Sequence, residues 1–588
     1  MEFFVWAPQR QRVRIVVDGS AHELAPTTGG WWGGVVDGAG PGSDYAFLLD
    51  EEDTALPDPR SRWQPHGVHA ASRVYDHSVF EWTDQGWTGR ALPGSVLYEL
   101  HIGTFTPGGT FDSAIERLDY LAELGIDLVD VMPVNAVDGL RNWGYDGVCW
   151  YAVTENYGGP DAFKRFVDAC HHRGMGVVLD VVYNHLGPSG AYLDRFGPYF
   201  AGSTIWGPTL NLDGPYSDEV RRYVIDNALG WLRDYHVDGL RLDAVHALRD
   251  TRATHLLEEL ATEVDVLAAQ VRRPLSLIAE SDLNDPRLVT PRVAGGYGLA
   301  AQWDDDIHHC LHTLLTGERQ GYYADFGSLT DLARTLRHAF FHDGRWSIFR
   351  KRTHGRPVDT AHLPGWKFLG YLQNHDQVGN RATGDRISTT LSPGLLACGA
   401  ALVLCTPYTP MIFMGEEWGA KTPFQFFSYM PDEQLREAIR RGRYAEFADH
   451  GWDEAQVPDP NDEQTFRRSQ LDWSEPSTEP HATLLRRYRE LIALRRSHPQ
   501  LTDPRLDALR IDVDERARTM VLHRGTLRVV VNLRAEAATV VLDSQPARVL
   551  FASGAATTGQ RTVQLDGESF AVVDLSLSGK ACAAPPAR

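Results

Sequence analysis

Between residues 95 and 414 the chain repeats a single rhythm, a short and nearly continuous apolar run followed by a stretch with helical spacing. The runs fall at 96–102, 126–134, 176–182, 237–243, 275–280, 299–303, 368–373 and 411–414. A strand that is apolar on both faces must be covered on both, which is the situation in a parallel sheet flanked by helices. The intervening segments supply those helices. Residues 112–124 set Ile115, Leu118, Leu121 and Ala122 on one face and stop at Gly125, and residues 217–235 are helix-patterned too. Eight such strands close most economically into a (β/α)8 TIM barrel, an α/β fold whose chemistry belongs at the carboxyl ends of the strands.

The flanks have a different texture. Residues 3–6, 13–17 and 45–49 are short β-rich segments separated by Gly-, Pro- and Asp-rich stretches, with the glycine-rich run 29–34 expected to be a turn. Residues 1–90 therefore read as an N-terminal β-sandwich. After a helical stretch at 482–497, β pattern returns at 519–522, 527–531 and 547–551, so 499–588 reads as a C-terminal β-sandwich with a frayed tail at 583–588. That leaves 91–498 for the barrel and its inserted loops.

Composition excludes several functions. With 57 Lys+Arg against 78 Asp+Glu the formal net charge is −21, the wrong sign for gathering phosphates, so nucleic acid and anionic membranes are not expected partners. No apolar run approaches the roughly 20 residues of a membrane-spanning helix, and the N-terminus lacks the basic flank and apolar stretch of a signal peptide, which predicts a cytoplasmic protein. The six cysteines are far apart with no Cys-x-x-Cys pair, as expected of reduced core thiols. The sequence carries no signal for an oligomeric state.

Four strand ends converge on one rim: Asp180-Val-Val-Tyr-Asn-His185, Gly239-Leu-Arg-Leu-Asp-Ala-Val-His246, Ile278-Ala-Glu-Ser281 and Leu372-Gln-Asn-His-Asp-Gln377. A lone Asp after a strand is usually a turn or helix cap, but four acidic ends together point to chemistry. Arg241 and Asp243 are two apart on a strand and so face the same way, which keeps Asp243 ionised beside a permanent cation; the bland alternative is a structural ion pair. Glu280 ends an apolar strand among other carboxylates, and both influences favour its protonated form. Two carboxyl groups pushed to opposite protonation states are what glycosidic cleavage needs.

These four segments resemble, in chain order, the four signature regions of the α-amylase superfamily of glycoside hydrolases. The resemblance implies that Asp243 is the nucleophile, Glu280 the acid/base and Asp376 the third carboxylate. It implies a donor-sugar subsite of His185, Arg241 and His375, His246 on the acceptor side, and Tyr145, in Asn142-Trp-Gly-Tyr-Asp146, as the aromatic platform beneath the donor sugar, where the alternative is a core tyrosine. Phe4-Val-Trp-Ala-Pro8 is similar to the sandwich that precedes the barrel in branching, debranching and trehalose-releasing members. Segments 279–287, 301–309, 366–380 and Trp206-Gly-Pro resemble the members that release trehalose from maltooligosyl trehalose. The expected substrate is thus a maltooligosaccharide-type glucan, and no cofactor or catalytic metal is expected.

Within that resemblance, Asp304 and Ile307 depart from the pattern, which has Asn and an aromatic there. Trp206 is the candidate for stacking on acceptor sugars, or else an anchor for its loop, and Trp366 and Phe368 are expected to help build the acceptor pocket. Asn184 matches a calcium-ligand position of many α-amylases, but the following loop lacks the full oxygen set. Glycogen branching, isoamylase-type debranching and non-catalytic carbohydrate binding are the alternatives. Of the rival sites, His308 and His312 have helical metal spacing without an intervening base, and Asp50-Glu-Glu-Asp53 reads as a solvated acidic loop or a cation site.

Overall fold

The computed structural model describes residues 1–204, 207–448 and 456–576. Trp206 and the tail at 583–588 lie outside the described residues. Eight parallel strands close into a barrel in chain order: β1 (Leu97–Leu100), β2 (Leu128–Val131), β3 (Gly176–Val181), β4 (Gly239–Leu242), β5 (Ser276–Ala279), β6 (Ala301–Trp303), β7 (Phe368–Tyr371) and β8 (Thr409–Phe413), with β8 returning to β1. Seven of the eight apolar runs contain one of these strands, and the eighth, 411–414, overlaps Thr409–Phe413, which starts two residues earlier.

Alternation along the strands sorts the barrel interior into layers. Near the amino ends Leu97, Leu128, Val178, Ile278, Ala301, Leu369 and Met411 pack together as an apolar plug. Two residues further along the same strands stand Glu99, Asp130, Asp180, Glu280, Trp303 and Tyr371. The interior therefore changes from hydrocarbon to acid within one layer. The opposite faces of the strands pack on the helices, for example Val129, Leu179 and Leu240 against Phe163, Phe166 and Trp231 in the main core.

Two sheets form the N-terminal region, one joining Glu2–Trp6, Trp31–Val35 and Ala25–Pro26, the other Ser20–Glu23, Val13–Val17, Asp44–Leu49 and Ser72–Arg73. The region is tied to the loop after β3 by edge-on ring contacts, Trp6 with Tyr199 and Phe47 with Phe196. A five-stranded and a three-stranded sheet make up the C-terminal region.

Three expectations need correction. The glycine run 29–34 is not a turn throughout, because Trp31–Val35 is a strand paired with Glu2–Trp6. Gly33 is there for close approach: a Cβ on it would lie 2.5 Å from the Phe4 ring. The helix expected at 112–124 is two pieces, Phe111–Ile115 and Leu118–Leu124, interrupted at Glu116 and Arg117. Trp366 and Phe368 stand at the amino end of β7, where Trp366 packs on the apolar plug and Phe368 is fully buried against Phe340. They are therefore at the opposite end of the barrel from the acidic rim and cannot line a pocket there.

Candidate active site

Arg241 is the hub of the rim. Its side chain, fully buried on β4, lies with the guanidinium carbon 4.3 Å from the centre of the Trp303 ring. Nη1 donates to both oxygens of Asp180 (2.9 and 2.8 Å) and to Oδ1 of Asp243 (2.8 Å), and Nη2 lies 3.4 Å from Oε2 of Glu280. A buried cation needs paired anions, and here Asp180 and Asp243 supply them, with the Glu280 carboxyl alongside. Asn184 holds the other side of Asp243, its Nδ2 donating to Oδ2 (2.8 Å) and to the main-chain carbonyl (3.0 Å). Both Asp243 oxygens thus accept a hydrogen bond.

Glu280 has the opposite setting. Burial, opposed by Arg241 and reinforced by Asp243, Asp305 and Asp376, pushes it up to about 8. The backbone fixes its position: Ala244 sits in the left-handed region (φ 40°, ψ 50°), which turns its N–H onto Glu280 Oε2 at 2.7 Å. A non-glycine residue held there costs about 1–2 kcal/mol, a strain of the sort that concentrates at functional sites.

The remaining expected residues gather around this pair. His375 opens the short helix His375–Gly379 after β7, capped by Asn374. Tyr145 stacks on the His375 ring at 5.2 Å, and its hydroxyl donates to Asp180 (2.6 Å) and meets His375 Nε2 at 2.9 Å. Asp376, 44% exposed, lies 3.6 Å from that same nitrogen and accepts from Asn380. His185 is tied to Asn184 and to the Tyr145 carbonyl. His246 stands further out, 4.0 Å from Asp282.

The rival sites are committed elsewhere. His308 bonds the Leu372 carbonyl and the Tyr323 hydroxyl, and His312 pairs with Glu318. Asp50, Glu51 and Glu52 are paired with Arg10, Arg12 and Arg195. Asp304 caps the helix Asp305–Thr316 through the Ile307 N–H.

Comparison with known proteins fits this geometry. Residues 73–198 match the family model described as alpha amylase, catalytic domain, and residues 504–572 match a domain of unknown function, DUF3459. The chain is 56% identical to the malto-oligosyltrehalose trehalohydrolase of Arthrobacter ramosus, covering 97% of this chain and 99% of that one. It is 54% identical to the enzyme of the same name from Mycobacterium tuberculosis (strain ATCC 25618 / H37Rv), with the same coverage. A crystal structure of a putative alpha amylase from Salmonella typhimurium superposes with a TM-score of 0.89 at 39% identity over 97% of both chains. The chain belongs to the malto-oligosyltrehalose trehalohydrolase family.

It is a glycoside hydrolase of the α-amylase type, and several residues of its site escaped sequence reasoning. Asp180 was visible in its motif, but its part as the second carboxylate on Arg241 was not. Asp305 accepts from the Tyr371 hydroxyl (2.5 Å) and from Gln377 (3.3 Å), and it is one of the charges that raise Glu280. Glu99 and Asp130 lie beneath the rim. Glu99 accepts the His375 main-chain N–H and contacts its Nδ1, while Asp130 is held well above the usual carboxylate range by burial, with Asp180 and Glu99 beside it. The available signal was an acid in the inward register of an apolar strand, Leu-Tyr-Glu-Leu and Leu-Val-Asp-Val.

Proposed function

We propose that this glycoside hydrolase cleaves the α-1,4 bond next to the terminal trehalose of a maltooligosyl trehalose, releasing trehalose with retention of configuration. The observation that carries the chemistry is one guanidinium flanked by two carboxyls in opposite settings, Asp243 gripped by Arg241 and Asn184, Glu280 pushed up to about 8. Asp243 attacks the anomeric carbon of the donor glucose. Glu280 gives its proton to the bridging oxygen as the carbon–oxygen bond breaks, and the trehalose leaves. Glu280, now a carboxylate, takes a proton from water. The resulting hydroxyl attacks the same carbon and frees Asp243, so two inversions leave an α product.

The other residues act on the sugar. Asp376 and Tyr145 face the donor ring, and His185, Arg241 and His375 surround it. The acceptor side is bounded by Asp282, which contacts His246 and the Arg350 guanidinium (3.2 Å). Arg350 belongs to the loop of a hairpin, Arg345–Ser347 and Arg352–His354, that also exposes Phe349 toward the Tyr322 ring. The exposed Phe349 ring, set edge-on to the half-buried Tyr322, suits a platform for leaving-side sugars. Residues 1–90, 91–498 and 499–588 are assigned as N-terminal sandwich, catalytic barrel and C-terminal sandwich.

Product analysis tests the reading. Purified protein should release trehalose from maltooligosyl trehalose far faster than it cuts the linear maltooligosaccharide of equal length. Equal rates, or formation of α-1,6 branches, would overturn the substrate assignment in favour of a branching or debranching enzyme.

A further inference from the structure

His375 reaches the site on the shoulders of a residue from the opposite side of the sheet closure. Glu99, on β1 and 2% exposed, accepts the His375 main-chain N–H on one oxygen (2.9 Å) and bonds Nδ1 with the other (2.5 Å). Both of its oxygens are therefore engaged by one histidine that is 276 residues away in sequence.

The hydrogens around the ring can be counted. Arg241 Nη1 donates to both Asp180 oxygens, so Asp180 accepts, and the single hydroxyl hydrogen of Tyr145 goes to Asp180 Oδ2. The Tyr145 oxygen then meets His375 Nε2 at 2.9 Å with no hydrogen of its own left to offer. A close contact there requires the hydrogen to be on Nε2. On the other side, Nδ1 faces a carboxylate oxygen, which also calls for a hydrogen on nitrogen. Both ring nitrogens carry one, and the ring is an imidazolium.

We propose that Glu99 is a positioning residue that keeps His375 doubly protonated and directs its Nε2–H to the Tyr145 oxygen, at the donor-sugar end of the site. The proposal deepens the glycosidase reading and rests on it for its consequence in turnover. Glu99⁻, His375⁺, the Tyr145 hydroxyl, Asp180⁻, Arg241⁺ and Asp243⁻ form one chain of alternating charge and hydrogen bonds from β1 to the nucleophile. Its purpose is a standing cation at the rim: the imidazolium lies 3.6 Å from Asp376.

The groups that face His375 from its surroundings are Glu99 on β1, His101 just after it, Asp130 on β2, Tyr145, Asp180 on β3, Arg241 on β4, and Asp376 on its own helix. Burial alone would lower the ring. Glu99 and Asp376 outweigh it, against a smaller opposing push from Arg241, and raise it to about 9. Burial pushes His101 down to about 4, leaving it neutral. Among the carboxylates around the ring, only Glu99 contacts Nδ1.

Neutron diffraction from deuterium-exchanged crystals of the unmodified protein at neutral pH tests the proposal without any variant. Deuterium on both ring nitrogens of His375 is expected; deuterium on one alone overturns it. In parallel, Glu99→Gln retains the shape but offers one acceptor oxygen and an NH2, so it cannot receive both hydrogens. Its kcat/KM on maltooligosyl trehalose should fall ~10²-fold at neutral pH, the order for losing one preorganised donor, and recover as pH is lowered and the ring recharges. Loss of rate with an unchanged pH profile in a folded Glu99→Gln protein would mean a merely structural role and overturn the proposal. If the unmodified protein fails to cleave maltooligosyl trehalose, the glycosidase reading fails while the deuterium count still decides the state of His375.

Discussion

Raising the pH through about 8 should switch the enzyme off, and the reason is the proton on Glu280. Its carboxyl is held far above the ordinary value of 4.5, first by burial and then by Asp243, Asp305 and Asp376, with Arg241 opposing. A carboxyl raised to about 8 keeps its proton through neutrality and loses it as the pH climbs. About nine-tenths of the molecules carry the acid at pH 7 and about one-tenth at pH 9, so kcat/KM falls roughly tenfold per unit beyond that. Above about 9 His375 begins to lose its charge as well, and the limb steepens. On the acid side burial raises Asp180, Arg241 pulls it back and Asp243 pushes it up again, to about 6; below that pH the pairing with Arg241 loosens and the rate declines. The assay is kcat/KM on maltooligosyl trehalose from about pH 5 to about pH 10, beside a maltooligosyl fluoride whose leaving group needs far less help from an acid. The limb near 8 should appear with the first substrate and be absent or much weaker with the second. If the fluoride shows the same limb, or Glu280→Gln retains it, the proton in question is not on Glu280.

Three further expectations follow from other parts of the molecule. Exhaustive chelation should leave turnover intact, because in the proposed mechanism the carboxylates supply acid, base and nucleophile, and the Asn184 amide is already engaged by Asp243 and His185; loss of rate restored by calcium would contradict this. Glu416 and Glu417, buried after β8 and bonded by Tyr488, Tyr98 and Tyr120, are pushed by burial up to about 8 and about 7. Folding retains their protons, so their stabilising contribution is full below about 4.5 and is lost as pH rises through 7 and 8, at about 1.4 kcal/mol per unit for each. The melting temperature should fall from pH 5 to pH 8 less steeply in Glu416→Gln than in the unmodified protein, and equal slopes would refute the assignment. Phe349→Ala should raise KM for maltooligosyl trehalose about 3- to 10-fold with little change in kcat, the scale of one lost stacking contact; an unchanged KM would remove Phe349 from the acceptor side.

The barrel was legible because a strand covered on both faces leaves a continuous apolar run, and five of the eight runs are flanked on both sides by Gly, Pro, Asn, Asp or Ser. The rim motifs were legible because they end those runs in acids and histidines. Glu99 and Asp130 were harder to see, since each lies inside a strand and not in a motif at its end, where their role depends on what the barrel closure places opposite them; nothing local to Leu-Tyr-Glu-Leu names His375 as the partner. Trp366 was misplaced for a related reason. It adjoins Phe368-Leu-Gly-Tyr371, whose far end reaches His375 and Asp376, but a parallel strand carries its two ends to opposite faces of the barrel. The glycine run at 29–34 misled because glycine serves close approach as well as turns, and the Phe4 ring that presses on Gly33 is contributed by another strand.

The division of labour between Asp243 and Glu280 can be tested most directly by catching the intermediate. Glu280→Gln lacks the base that would activate water, so with a maltooligosyl fluoride it should form the glycosyl-enzyme and release it slowly. Proteolysis and mass spectrometry of the accumulated species should find one maltooligosyl group, on the peptide that contains Asp243 and on that side chain. A label on Asp376 or Asp180, or rapid formation of a β-configured product with no labelled peptide, would contradict the account.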